Sequence, residues 1–123
     1  MAMPRILIVD DDDNQRLLYR ELFEDEGYTV VEASDGRAAL ACIERDPPDA
    51  VVLDINMPGM DGLQTLTRIH DLNRRMPVIL HSAYAAYKDQ FVSWIADAYV
   101  TKSSNPDDLT RAVRAVLAAK REP

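Results

Sequence analysis

The stretch that decides the fold is residues 51–62, Val51-Val52-Leu53-Asp54-Ile55-Asn56-Met57-Pro58-Gly59-Met60-Asp61-Gly62. It begins with three aliphatic residues without polar alternation, a pattern typical of a parallel strand that is buried on both faces. The chain then meets a carboxylate, Asp54, and a turn rich in proline and glycine. An isolated aspartate in this place commonly caps a helix or closes a turn. Function in open α/β sheets gathers at the carboxyl ends of strands, however, so the residues around Asp54 decide its role.

Outward from this stretch, strand patterns alternate with helix patterns along the whole chain. The predicted strands are Arg5–Val9, Tyr28–Glu32, 51–54, Pro77–His81 and Ala98–Thr101. Amphipathic or capped segments between and after the strands predict five helices. The first three are Asn14–Glu26, the residues before Pro47, and Gly62 to about Asn73. A short fourth helix follows Ser82, and the last helix begins at Pro106 with Asn105 as its cap. In the first of these helices, Leu18 and Leu22 stand four residues apart, with Phe23 beside them.

Strands that alternate with helices are joined by right-handed crossovers, which gives a parallel sheet with helices on both faces. We therefore predict an α/β fold of the flavodoxin-like (βα)5 type, with a five-stranded sheet in the order 2-1-3-4-5. The 123 residues fit a single domain, residues 1–123.

Composition excludes several function classes. The net charge of −7 argues against direct nucleic-acid binding, which needs clustered Lys and Arg. No apolar stretch approaches the length that spans a bilayer, and no signal-peptide pattern opens the chain, so we expect a cytoplasmic protein without membrane contact. The single cysteine, Cys42, lies in an apolar helical run and is expected to be a small core residue.

Four consecutive carboxylates, Asp10 to Asp13, follow the first strand. In the predicted strand order, strands one and three are neighbours, so Asp10 and Asp11 should lie beside Asp54. Carboxylates that share a crevice repel each other unless protons or a cation are present, and Mg²⁺ favours such oxygen ligands. Asp12 and Asp13 need no role beyond stabilising the N-terminus of the first helix.

Two more polar residues follow successive strands. Ser82 comes after the fourth predicted strand, and Lys102 comes after the fifth. A hydroxyl donor and an ammonium group are what a phosphoryl group on Asp54 would require. Each residue alone has an ordinary interpretation as a turn or surface residue, but their placement at one edge of the sheet favours a phosphate site.

In this combination of motifs the sequence resembles the response regulator receiver domains of two-component signalling. The first motif is the apolar strand followed by the acid pair Asp10-Asp11, with Arg16 further along. The others are Asp54 followed by the turn at residues 57–62, the pair Ser82-Ala83, and Lys102. The resemblance implies that Asp54 accepts a phosphoryl group from a histidine kinase or phosphotransfer protein, and that Mg²⁺ is the cofactor.

The resemblance also implies individual roles. It makes Asp11 a direct metal ligand beside Asp54, Asp10 a ligand mainly through water, and the backbone carbonyl of Asn56 a further ligand. Ser82 would be the switch hydroxyl, and Lys102 the lysine that binds phosphate. Tyr99 matches an aromatic switch residue, although an ordinary strand aromatic fits the same position.

We expect Asn56 and Tyr84 to flank the approach of water to the phosphorylated residue, and the bulk of Tyr84 predicts slow dephosphorylation. Output is expected through the face formed by the fourth predicted helix, the fifth strand and the last helix, where Trp94 lies. The family usually has a proline after its lysine, whereas Ser103 follows Lys102. The segment between Ser82 and Lys102 is also short for the family, which predicts an irregular fourth helix.

The sequence thus predicts a signalling switch that catalyses only its own phosphorylation and dephosphorylation. Two alternatives remain open: a receiver-like interaction module that is never phosphorylated, and a small aspartyl-phosphate phosphatase with Asp10 as its nucleophile. The output partner or effector domain, phosphorylation-dependent dimerisation through the last helix, and the choice between a stand-alone protein and part of a longer regulator also remain open.

Overall fold

The computed structural model describes residues 3–55, 62–82, 96–102 and 105–121. In these ranges the helices and strands are, in chain order, β1 (Arg5–Val9), α1 (Asp13–Asp25), β2 (Thr29–Ala33), α2 (Gly36–Arg45), β3 (Ala50–Asp54), α3 (Gly62–Leu72), β4 (Val78–Ser82), β5 (Ala98–Thr101) and α4 (Pro106–Arg121). Within the described part of the chain, no helix combines the length and apolar character needed to cross a membrane.

The five strands form one parallel sheet in the order β2-β1-β3-β4-β5. This order confirms the predicted topology. It places the end of β1 next to the end of β3, because Val9 pairs with Leu53. It also aligns Asp54 with His81 of β4, and Ser82 with Thr101 of β5.

Successive strand residues point to opposite faces and fill two separate cores. One core contains Leu7 and Val9 of β1 and is covered by α2 and α3, whereas the other contains Ile6 and Ile8 and is covered by α1 and α4. Fully buried side chains fill both cores, for example Phe23 under α1 and α4, and Leu66 and Ile69 under α2 and α3. Helices therefore cover both faces of the sheet, as predicted.

The element boundaries differ from prediction by small shifts. β2 and β4 each begin and end one residue later than predicted, and β4 therefore includes Ser82. In α1, Leu18 is 55% exposed, although it stands four residues from Leu22, which packs against the core. Tyr19 and Phe23, also four residues apart, are the buried residues of α1.

The C-terminal end of α1 and the N-terminal end of α4 behave as their sequences indicate. Gly27 has φ of +94° and ends α1 in the left-handed conformation that glycine favours. Asn105 Oδ1 accepts a hydrogen bond from the Asp107 N–H at 3.0 Å and caps α4. The predicted fourth helix with Trp94, the loop with Asn56, and Ser103 lie outside the described residues.

Gly62 fixes how α3 approaches the end of β3. Its N–H donates to the Ile55 carbonyl at 2.8 Å. A Cβ atom at this position would lie 2.3 Å from both the Asp54 carbonyl oxygen and Ile55 Cα. These neighbours are backbone atoms that cannot rotate away, so only glycine allows this close approach.

We therefore expect Gly62→Ala to lower the free energy of unfolding by about 3 kcal/mol or more, because the added methyl group must displace the backbone at Asp54. Urea unfolding followed by circular dichroism measures the loss. Asp71→Ala is the matched control, since it changes an exposed residue of the same helix and should stay within about 0.5 kcal/mol. Equal stabilities of Gly62→Ala and wild type would contradict the close approach.

Candidate functional site

The alternation of side chains assigns three of the predicted site residues, together with His81, to one face of the sheet. Ile6, Ile8, Val52, Ile79 and Val100 all belong to the core under α1 and α4. Positions two residues further along these strands, where the series continues, are Asp10, Asp54, His81 and Lys102. These four residues therefore follow the same face to its carboxyl edge, where α1 begins.

Lys102 joins the ends of β1 and β3 through its side chain. Its Nζ donates to Asp10 Oδ2 at 3.0 Å and lies 3.4 Å from Asp54 Oδ2. The two carboxylates are almost fully buried, with 3% and 6% of their side chains exposed. Sequence reasoning predicted that these three residues converge, and the structure brings them together.

Asp11 completes a group of three acids with Asp10 and Asp54. One carboxylate oxygen from each lies within 4.8 Å of the others. Asp11 itself is exposed, so this group opens to solvent on one side. Three carboxylates exceed the charge of Lys102, and carboxylate oxygens are the ligands that Mg²⁺ prefers. The donor set therefore fits a divalent cation.

The start of α1 holds the acidic loop in place. Asp12 caps the helix, since its Oδ1 accepts from the Asn14 and Gln15 N–H groups at 2.9 and 3.2 Å. Arg16 Nη1 donates to the Asp10 carbonyl oxygen at 2.6 Å, and its guanidinium also pairs with Asp13 and with Glu32 of β2. The loop after β1 is thus tied to both α1 and β2.

Asp10 has both carboxylate oxygens engaged. Oδ1 accepts from the Asp12 N–H at 2.9 Å, while Oδ2 accepts from Lys102. The first bond closes the turn between β1 and α1, and the second reaches across the sheet. Asp10 therefore serves the local turn and the long-range ion pair at once.

Gln15 is a site residue that sequence reasoning missed. Its Oε1 accepts a hydrogen bond from Lys102 Nζ at 2.6 Å, the shortest of the three distances between that nitrogen and its oxygen partners. In sequence, Gln15 is the third residue after the helix cap, a place where glutamine usually bonds back to the cap. That local signal offers no hint of a lysine 87 residues away.

The other predicted residues are placed less completely. Ser82 is fully buried at the end of β4, and its carbonyl oxygen accepts from the Lys102 N–H at 2.7 Å. Tyr99 is half-buried and packs against the core under α2 and α3. Asn56 and Tyr84 lie outside the described residues, so their roles stay predictions.

Lys102 remains cationic in this setting. Burial lowers its pKa, but the hydrogen bond to Asp10 and the negative charges of Asp54 and Asp10 outweigh burial, so the pKa is raised above its ordinary value. The ammonium thus offsets the repulsion between the two buried carboxylates at every physiological pH.

His81 lies on the same face of the sheet, beside this ion pair. Its ring contacts the Tyr19 ring edge-on, with centroids 4.9 Å apart. Burial, together with the positive charge of Lys102, lowers the pKa of His81 to about 4. His81 is therefore neutral at physiological pH and adds no second cation to the site.

Comparison with protein families matches residues 6–114 to the response regulator receiver domain. Among solved structures, the response regulator protein TrrA from Thermotoga maritima, in complex with Mg²⁺-BeF, is 40% identical with a TM-score of 0.90, and the match covers 93% of this chain and 99% of that one. TrrA in complex with the histidine kinase ThkA matches at 41% identity and a TM-score of 0.88, covering 94% of this chain and 99% of that one.

Curated relatives include longer proteins. The transcriptional regulatory protein TcrA from Mycobacterium tuberculosis is 36% identical over 114 residues. The match covers 91% of this chain but 45% of TcrA, so this chain spans less than half the length of that relative.

The lowered pKa of His81 predicts a pH dependence of stability. The folded protein favours the neutral ring, whereas the unfolded chain binds a proton on His81 below about pH 6.5. The contribution of the neutral ring to the unfolding free energy is therefore complete above pH 6.5 and is lost as the pH falls toward 4. Between pH 7 and pH 4.5, His81→Met should lose less unfolding free energy than wild type, by on the order of 2 kcal/mol. Chemical unfolding at both pH values measures this difference, and equal losses would contradict a buried neutral His81.

Proposed function

The chain belongs to the family of response regulator receiver domains, and from that premise we propose that it is a phosphorylation-controlled switch in which Asp54 accepts the phosphoryl group of a kinase phosphohistidine. Receiver domains are signalling switches rather than enzymes that turn over a separate substrate. The observation that carries the proposal is the buried Asp54 carboxylate, 3.4 Å from the Lys102 ammonium and grouped with Asp10 and Asp11.

A histidine kinase is the proposed phosphodonor. TrrA, which shares 41% identity with this chain, has been solved in complex with a histidine kinase. In the proposed reaction an Asp54 oxygen attacks phosphorus and forms the new P–O bond. The P–N bond to the kinase histidine breaks, and the leaving imidazole takes up a proton.

The residues around Asp54 would act mainly through charge and position. Lys102, with 15% of its side chain exposed, can turn its ammonium from Asp10 toward a phosphoryl oxygen without leaving the site. The Ser82 hydroxyl would donate to another phosphoryl oxygen. Both residues are held at adjacent strand ends by the hydrogen bond from the Lys102 N–H to the Ser82 carbonyl.

Asp10, Asp11 and Asp54 would hold Mg²⁺, with the Asn56 backbone carbonyl as a further ligand. When bound, the ion supplies positive charge against the oxygens of the phosphoryl group. Asp54 would thus belong to the metal set and be the nucleophile as well, which explains why the carboxylates converge although they repel each other.

The proposed readout begins at the phosphoryl group. Ser82 moves toward the new charge, Tyr99 follows it, and the surface of β5, α4 and the preceding segment changes. Tyr99 is suited to this role by its place two register positions from Ser82, half-buried against the core. The output partner would bind this surface.

The phosphatase alternative fits the geometry less well. Both Asp10 oxygens accept hydrogen bonds, one from the Asp12 N–H and one from Lys102. A nucleophilic role for Asp10 would compete with both contacts, and the bond from the Asp12 N–H also closes the turn into α1. Nothing in the described residues favours Asp10 over Asp54 as the nucleophile.

The magnesium proposal predicts stabilisation of the folded protein by the ion. At a concentration about 100-fold above its dissociation constant, Mg²⁺ should raise the unfolding free energy by about 2.7 kcal/mol. Asp11→Asn should remove most of this gain, whereas Asp12→Asn should keep it, because asparagine caps a helix as well as aspartate does. Thermal unfolding with Mg²⁺ or EDTA measures the gain, and the idea fails if both variants respond like wild type.

The phosphorylation proposal predicts which residue is modified. Incubation with acetyl phosphate and Mg²⁺ should add the mass of one phosphoryl group to wild type and none to Asp54→Asn. Intact-protein mass spectrometry measures the addition. Asp35→Asn is the matched control. Asp35 does not belong to the acid group, and its side chain caps α2 by accepting from the Ala38 N–H, which asparagine can also do.

The same experiment separates the alternatives. Loss of the added mass in Asp10→Asn, with the mass retained in Asp54→Asn, would support the phosphatase. No addition to wild type from acetyl phosphate or from a phosphorylated kinase would support the interaction module. Either result would overturn the proposed switch.

A further inference from the structure

We propose that Gln15 is a positioning residue that holds the Lys102 ammonium beside Asp54 when the carboxylates are engaged by a cation. The inference rests on the proposed function, because it concerns the same site. It adds a residue from α1 to a set otherwise supplied by the ends of strands.

Among the described residues, three side-chain oxygens lie around Lys102 Nζ, and they differ in charge. Asp10 Oδ2 at 3.0 Å and Asp54 Oδ2 at 3.4 Å belong to carboxylates, whereas Gln15 Oε1 at 2.6 Å belongs to a neutral amide. The neutral partner is also the nearest one. An ammonium has three N–H groups, so all three contacts can be made together.

Gln15 is available because its usual local partner is taken. A glutamine at this position in a capped helix normally accepts from the N–H of the cap residue. Here the Asp12 N–H donates to Asp10 Oδ1 at 2.9 Å. The side-chain amide oxygen of Gln15 is therefore free to accept from Lys102. The backbone N–H of Gln15 still donates to Asp12 Oδ1 at 3.2 Å.

A neutral acceptor matters because the two carboxylates have a second task. Asp10 and Asp54 belong to the acid group that fits a divalent cation, and oxygens that bind such an ion attract an ammonium less strongly. The Gln15 amide oxygen is neutral and is not in the acid group. A bound cation therefore weakens its hydrogen bond to Lys102 less than it weakens the contacts of the two carboxylates. Gln15 then keeps the flexible Lys102 side chain, which carries about 2 kcal/mol of rotamer entropy, at the site.

The test measures how strongly Lys102 is protected from an amine reagent. Gln15→Met keeps a similar side-chain length and removes the acceptor. Pulse labelling with acetic anhydride, followed by peptide mass spectrometry, reports Lys102 relative to Lys120 in the same digest. With saturating Mg²⁺, Lys102 should be labelled about tenfold faster in Gln15→Met than in wild type, which is the usual worth of a hydrogen bond to a charged group.

Two variants separate the hydrogen bond from a loss of helix structure. Asn14→Met changes the exposed neighbouring residue of the same turn and should label like wild type. Gln15→Glu retains an acceptor oxygen at the same reach and should restore protection. If wild type and Gln15→Met label equally, or if Asn14→Met labels as fast as Gln15→Met, the positioning role is overturned.

A second readout links the contact to phosphoryl transfer. Gln15→Met should slow phosphorylation by acetyl phosphate about tenfold and change the Mg²⁺ dissociation constant less than twofold. Labelling uses the unphosphorylated protein, so the two proposals fail separately. Absence of phosphorylation at Asp54 with Lys102 still protected by Gln15 would contradict the switch alone.

Discussion

The ion pair that joins Lys102 to Asp10 and Asp54 is the constraint on which the site depends. Two buried carboxylates from neighbouring strands repel each other, and the ammonium between them is what makes their burial tolerable. β5 lies three strands from β1 in the sheet, roughly 14 Å at the usual strand spacing. Only a long cation at the end of β5 can reach back across β4 and β3 to Asp10.

The residue of β4 that lies between Lys102 and the two carboxylates must not carry a positive charge of its own. His81 belongs to β4, between the lysine's strand and the carboxylates, and its position in the alternation places it on the same face. A charged imidazolium there would repel Lys102, and burial disfavours it further, so the ring stays neutral. The edge-on contact with Tyr19 then lets His81 complete the core under α1 as an aromatic residue.

The sequence predicted the features that follow from strand order, and it missed those that depend on side-chain reach. Asp10, Asp54 and Lys102 converge because buried aliphatic runs mark their strands, and parallel strands end at one edge. In α1 the spacing of Leu18 and Leu22 does not identify the buried face, which Tyr19 and Phe23 fill instead. Gln15 gave only a capping signal. The Asx turn in which Asp10 Oδ1 accepts the Asp12 N–H leaves the Gln15 side chain available, but nothing in the sequence directs it to Lys102.

The present partners of Lys102 also bear on why the proposed reaction should need a cation. If Asp54 accepts a phosphoryl group, the ammonium is drawn to the new charge and its bond to Asp10 weakens. Asp10 would then be a carboxylate with 3% of its side chain exposed and with the Asp12 N–H as its remaining hydrogen-bond donor among the described contacts. An uncompensated buried charge is costly. A cation shared by Asp10, Asp11 and Asp54 would offset that cost. The proposed requirement for Mg²⁺ therefore follows from the Asp10 carboxylate that loses its bond to Lys102, as well as from the negative charge of the phosphoryl group.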